Sequence, residues 1–279
     1  MAAARPLLLC ARQELVLAVR SRWTQIFAAV FAALALAVAS AGYILSGGHG
    51  VQDFARTAAS LVQLVLLLVP LTALLIGVMA LAPDRGAAEL LFSQPVSRGT
   101  ILLGKLLGLF QALAAAQALG FGVAGLVIFN QTGEEGLGGF LLLVLGSLVL
   151  TAVYLGLAAV LAAGALGRRR QRVLALGLVV WFASVVLFDV AALGLASLLP
   201  SGAASRVLIV SVLVNPVDAV RTGTLLGVEG TAAFGAASLA FLRFTRGALN
   251  AGLLLALSLL LWIAVPTLVA LARLRRADV

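Results

Sequence analysis

Nucleophiles, metal ligands and phosphate cradles are what this sequence has least of. Its 279 residues include one cysteine (Cys10), one histidine (His49) and two methionines. A single cysteine leaves no intrachain disulfide framework and no thiolate metal site within one copy. There is no His-Glu-x-x-His run and no pair of intramembrane aspartates, so an intramembrane hydrolase would lack both its base and its metal ligands. The chain is read as not an enzyme, with no metal site. A Gly-x-x-x-x-Gly-Lys-Ser/Thr run is also missing, and with it any phosphate-cradling loop or ATPase of the chain's own. Aromatics are 6% of the residues. No ten-residue segments alternate apolar and polar, which favours a helical bundle over a membrane barrel.

Apolar length is what the chain has in abundance. It is 63% hydrophobic and 10% charged, with a mean hydropathy of +1.19. Such a composition cannot hide its apolar residues inside a soluble domain, so an integral membrane protein is expected. Its runs predict an all-α bundle of six spans at 23–45, 61–81, 101–129, 137–166, 173–199 and 253–271, as a single domain covering 1–279. Residues 46–59 are expected as an outer loop, and Asn130 to Gly136 as a short outer turn. Before the first span, Arg5, Arg12, Gln13 and Arg20 recur near heptad spacing with Leu8, Leu15 and Val19 between them. Residues 1–22 therefore read either as an amphipathic helix lying along the cytosolic membrane surface or as an ordinary basic leader. Between the fifth and sixth spans, 200–250 holds apolar pieces too short to cross. Val207 to Val214 and Ala232 to Leu242 are expected as surface or re-entrant helices on the outer face.

The formal charge of +9 is a topology signal here, because the arginines sit in connecting segments rather than in a stripe with aromatics; no nucleic acid is expected as a partner. Of 19 Lys and Arg residues, only Arg56, Arg206, Arg221, Arg243 and Arg246 fall on the proposed outer side. Both termini are then cytosolic and the number of spans is even.

One loop reads as a docking device. In 82–100, Pro83 suits a first helical turn, Asp84 and Glu89 suit its positive end, and Pro95 cannot continue it. A short helix over Asp84 to Ser93 would carry Ala87, Leu90 and Leu91 on one face. At about ten residues it is too short to span a bilayer. By these residues alone it is a surface-lying connector or a helix that seats in a partner's groove.

The run Asp84-Arg85-Gly86, then Glu89-Leu90-Leu91-Phe92-Ser93-Gln94-Pro95-Val96-Ser97-Arg98, then Leu102-Leu103-Gly104-Lys105-Leu106 resembles the loop between the second and third spans of ABC-2 type permeases. Ala87-Ala88 stand where a Thr-Leu pair is usual. Ala11 to Leu15 through Arg20 to Trp23 is similar to the elbow helix that opens such permeases. The resemblance implies that this loop is a coupling helix, with Asp84, Arg85, Glu89, Leu90, Leu91, Phe92, Gln94 and Pro95 fitting a groove on a separate ATPase. It also implies that ATP and Mg are bound by that subunit, with no cofactor in this chain.

Thr57-Ala58-Ala59-Ser60-Leu61 running into Leu66 to Leu71, Trp181 followed by Asp189, and Asn215-Pro216 before the last span are similar to permeases of the NosY type. That likeness implies a homodimer in the bacterial inner membrane, a cytosolic ATPase of the NosF type, and a periplasmic β-helical protein of the NosD type. Together they would serve copper-sulfur site assembly in nitrous oxide reductase. With one Cys, two Met and one His, the chain is poor in the soft ligands a copper path needs, so export of a sulfur species or mechanical work on the periplasmic partner is expected. The alternatives are a generic exporter of drugs, lipids or antibiotics, and a non-transporting scaffold.

A few polar residues stand inside or beside the spans. Asp189 is the one acid in a long apolar run, either a functional intramembrane charge or a group reaching interfacial water. Gln63 and Pro70 either line a path at the dimer axis or mark a kinked helix with a bonded glutamine. Asn215, Pro216, Asp218 and Arg221 belong to the region assigned to the periplasmic partner, the alternative being that it packs on its own bundle. His49 is a metal contact, a pH-sensitive group or a solvated loop histidine.

Overall fold

The computed structural model describes residues 4–46, 51–82, 96–132, 137–163, 170–229 and 236–276, and within them regular structure is helical throughout. The helices are α1 (Ala4–Arg20), α2 (Arg22–Ser46), α3 (Val51–Leu81), α4 (Arg98–Thr132), α5 (Leu137–Ala163), α6 (Arg170–Phe182), α7 (Phe188–Ser197), α8 (Ser201–Val214), α9 (Pro216–Glu229), α10 (Ala236–Thr245) and α11 (Ala248–Arg276). A π turn over Ala183–Leu187 joins α6 to α7.

Six helical stretches are long and apolar enough to cross a bilayer: Arg22–Ala41, Thr57–Leu81, Arg98–Asn130, Leu137–Ala163, Arg170–Ser197 and Ala248–Arg276. They match the six spans expected from hydropathy. Two connections are shorter than expected. Val51 to Ala59 form the first turns of α3 instead of a loop, because no glycine or proline interrupts the run from Val51 to Val69. Asn130 to Thr132 are likewise the last turn of α4.

Burial separates centre from rim. Half of the Thr57–Leu81 stretch is buried, against 17% of Arg170–Ser197 and 22% of Ala248–Arg276. Helix α3 is thus the hub, with Leu66, Val69 and Leu74 in a core shared with Leu113 of α4 and Leu150 and Tyr154 of α5. An aromatic row of Phe27, Phe31, Phe121 and Phe140, with centroids 5.1 to 5.9 Å apart, ties α2 to α4 and α5. Apolar residues on the rim helices face outward, as a bilayer requires.

Helices α8 and α9 meet at a 97° bend, too sharp for a single straight span. The cause is local. Pro216 forces the preceding residue toward extended backbone, and Asn215 has φ −102 and ψ 118. Its side-chain Oδ1 then accepts the N–H of Val217 at 3.0 Å, so an asparagine N-cap followed by a proline at the first helical position starts α9 afresh. The first of the short apolar pieces expected between the fifth and sixth spans, Val207 to Val214, therefore ends at a sharp bend into a second helix. A second core of Val212, Ala219, Phe241, Ala251 and Leu255 packs α8, α9 and α10 against α11.

Candidate functional site

The fifth span carries its one acid just beyond a defect. The N–H of Phe188 bonds to Ala183 O, five residues back, and the extra residue in such a turn leaves one carbonyl without a donor in its own helix. Asn215 Nδ2 donates to Ser184 O at 2.8 Å. The residue that bends α8 into α9 thus also fills the gap in the neighbouring span. The Ser184 hydroxyl donates to Trp181 O at 3.1 Å and lies 2.7 Å from the hydroxyl of Tyr154, which is fully buried on α5. Trp181 Nε1 donates to Leu67 O at 3.0 Å, three residues before Pro70 of α3.

Next to this seam stand the charges. Arg221 Nη1 lies 2.7 Å from Asp189 Oδ2 and 2.8 Å from Asp218 Oδ1. Asn215 Nδ2 reaches Asp218 Oδ2 at 3.3 Å. The Asp218 side chain is 10% exposed, and those of Asp189 and Arg221 are 27% and 26%. Arg221 Nε is buried with no acceptor among the described residues. Two carboxylates share one guanidinium nitrogen, so the cluster is charge-rich where unpaired charge is expensive. Counting from Arg170 at about 1.5 Å per residue puts Asp189 roughly 28 Å along its span, near the far side of a core about 30 Å thick. Chemically the arrangement holds helices together through paired charges.

Four of the residues singled out from sequence, Asp189, Asn215, Asp218 and Arg221, therefore meet, although Asp189 was expected as an intramembrane charge and the other three as part of the region assigned to the periplasmic partner. Asn215, Pro216 and Asp218 are buried within the chain and Arg221 is half-buried. Gln63 lies exposed on α3 and Pro70 is buried in the core; neither joins the cluster. His49 and the coupling positions Asp84, Arg85, Glu89, Leu90, Leu91, Phe92, Gln94 and Pro95 lie outside the described residues.

The residues that flank that loop are among those described. Ser97 caps α4, its Oγ accepting the N–H of Thr100 at 3.2 Å, and Arg98 Nη1 donates to Leu274 O at 3.3 Å. On the incoming side, Lys105 Nζ bonds Ala80 O at 3.0 Å and pairs with Glu14 at 3.4 Å. Helix α1 lies directly on α4 here. A Cβ added at Gly104 would sit 2.6 Å from Cys10 Cβ and 3.0 Å from Leu7 O, and one at Gly108 would strike Ala11 O. Glycines four apart let two backbones touch, the logic of a Gly-x-x-x-Gly contact. Sequence reading missed Glu14 and this contact, though Gly104-Lys105-Leu106-Leu107-Gly108 carried the signal.

Residues 8–279 match the family described as ABC-2 family transporter protein. The chain belongs to that family. It is similar to a probable ABC transporter permease protein NosY of Pseudomonas aeruginosa, 37% identical over 236 residues that cover 82% of this chain and 85% of the relative. A probable ABC transporter permease protein NosY of Stutzerimonas stutzeri is 36% identical over 273 residues, 95% of this chain and 96% of that one. The chain is an ABC-2 permease subunit, a multi-pass membrane component whose family implies an ATPase partner. Within this permease, α1 packs on α4, and the cluster joins the fifth span to the bent pair that precedes the sixth.

Proposed function

We propose that this permease, as a homodimer in the bacterial inner membrane with both termini cytosolic, couples a NosF-type ATPase to a NosD-type periplasmic β-helical protein. The output is export of a sulfur species, or conformational work on the periplasmic partner, for copper-sulfur site assembly in nitrous oxide reductase. What carries the reading is identity of 36% over 95% of the chain to a permease of that name. ATP and Mg belong to the ATPase, which enters at Asp84 to Pro95. Glu14, Lys105, Arg98 and Leu274 hold the ends of that loop against α1, α3 and α11, so force applied to the loop passes directly to these helices. At the far end, the helices of 200–250 are the contact for the periplasmic protein, and the Asp189-Arg221-Asp218 cluster links them to the fifth span. Gln63, Pro70 and Asp189 are the residues to test for a substrate path.

The test is gentle detergent purification of the tagged permease with mass spectrometry of what stays bound, alongside nitrous oxide reductase maturation in a deletion strain. An ATPase and a β-helical protein together, with an immature reductase in the deletion, support the reading. An ATPase alone and a normal reductase would turn it into a general exporter.

Leu90→Asp is expected to leave membrane insertion intact and to cost at least tenfold in ATPase retention, since a carboxylate would enter an apolar groove. Full retention in that variant would remove the coupling role from this loop.

A further inference from the structure

Beneath the elbow helix lies a cavity of about 190 Å³, lined among others by Glu14, Ser21, Trp23, Met79 and Arg170. We propose that it binds the phosphodiester headgroup of an anionic phospholipid from the cytosolic leaflet. It sits where the break between α1 and α2 meets the inner ends of α3 and α6, on the side to which the count of arginines and lysines assigns the cytosol.

The charge in and around the cavity does not balance. Glu14, buried on α1, is matched by Lys105 at 3.4 Å. Arg170 remains. It donates to Met79 O, and among the described residues no carboxylate stands within ion-pair distance of it. A guanidinium has five N–H donors in a planar fork suited to phosphate, so one bond to a carbonyl leaves most of them to spend. Ser21 and Trp23, whose side chains carry an O–H and an N–H donor, are also among the lining residues.

The size fits as well, since the volume is several times the roughly 30 Å³ that a water occupies in the liquid. Exposed apolar side chains continue outward from the mouth. Leu17 and Trp23 line it and are 55% and 59% exposed, and Ile26 follows one turn after Trp23 at 53%. Acyl chains would lie on that surface while the phosphate enters the cavity. A free phosphate would use the same donors without the apolar surface. The lipid is favoured because tryptophan beside arginine at a span's end is the chemistry of the membrane interface. Occupied, the site would join α1 to α3 and α6 through the lipid.

The experiment uses the full chain in neutral detergent, with thermal melting and native mass spectrometry in the presence of phosphatidylglycerol, phosphatidylcholine or inorganic phosphate. Phosphatidylglycerol is expected to stay bound and to raise the melting midpoint, and the other two to do neither. Arg170→Gln should weaken its retention about tenfold, Arg170→Lys should restore part of it, and Arg172→Gln, an exposed neighbour on the same helix, should change nothing. Ser21→Trp, which fills the space and keeps every charge, should also lose the lipid and guards against misfolding of the arginine variant. Equal losses in the Arg170 and Arg172 variants would reduce the effect to general surface charge and overturn the site. Stabilisation by inorganic phosphate equal to that by the lipid would overturn the lipid assignment. Neither outcome bears on whether the permease meets a NosF-type or NosD-type partner.

Discussion

Arg221→Gln is expected to destabilise the permease by about 3 kcal/mol, the lower end of what removing one partner from a buried ion pair costs. Two effects compete. Exposed ion pairs are worth about 0 to 1 kcal/mol, and the arginine and Asp189 are each about a quarter exposed. Against that, Asp218 is only 10% exposed, and both carboxylates rely on the same Nη1 at 2.7 and 2.8 Å. Without the guanidinium the carboxylates repel each other, and burial decides for the larger figure. The measurement is detergent melting of Arg221→Gln beside Arg206→Gln, an exposed arginine of the same region. Adding Asp189→Asn to Arg221→Gln should recover much of the loss, because one of the repelling charges is gone; groups in contact are expected to be non-additive in this way. Loss equal to that of the Arg206 variant would mean the cluster is not a structural link. In the assembled transporter the same variant should lose ATP-driven output more than ATPase retention, since the cluster joins the fifth span to α9 and shares no residue with the Glu14–Lys105 contact between α1 and α4.

Gly108→Leu should displace α1. The new Cβ would meet Ala11 O, stand 2.8 Å from Glu14 Cβ and 2.9 Å from Leu15 N. Two of those atoms are backbone and cannot rotate away, so α1 itself must move. Overpacking of a close contact costs about 1 to 3 kcal/mol, and the upper figure is expected because the Glu14–Lys105 pair at 3.4 Å would separate too. Gly122→Leu is the control, as nothing lies within 4 Å of a Cβ there on the same helix. Faster tryptic cleavage after Arg12 in Gly108→Leu, with Gly122→Leu unchanged, is the expected result. Equal cleavage in the two would show that α1 does not depend on this contact.

The six spans were legible because apolar length is a one-dimensional property. Pro216 announced a break for a similar reason: a proline constrains itself and the residue before it. The outer loop expected over 46–59 is shorter in the structure, where Val51 to Ala59 are helical; hydropathy does not register a helix that continues beyond the apolar run. Asp189 stood out as a lone acid, but no periodicity could pair it with Arg221, 32 residues away. Asn215, assigned from sequence to the periplasmic-partner region, instead gives its amide to Ser184 O across 31 residues.

By itself, then, the sequence determined the six apolar stretches long enough to cross a bilayer and the helix break at Asn215-Pro216. Each of these depends on neighbours along the chain. Tertiary structure alone decided that a π turn in the fifth span would take its missing donor from Asn215, that two acids would share Arg221, and that Glu14 would face Lys105 across a glycine contact. These are matters of which helices lie side by side. Burial makes such polar groups find partners, but only the packing of the bundle says which partners are within reach.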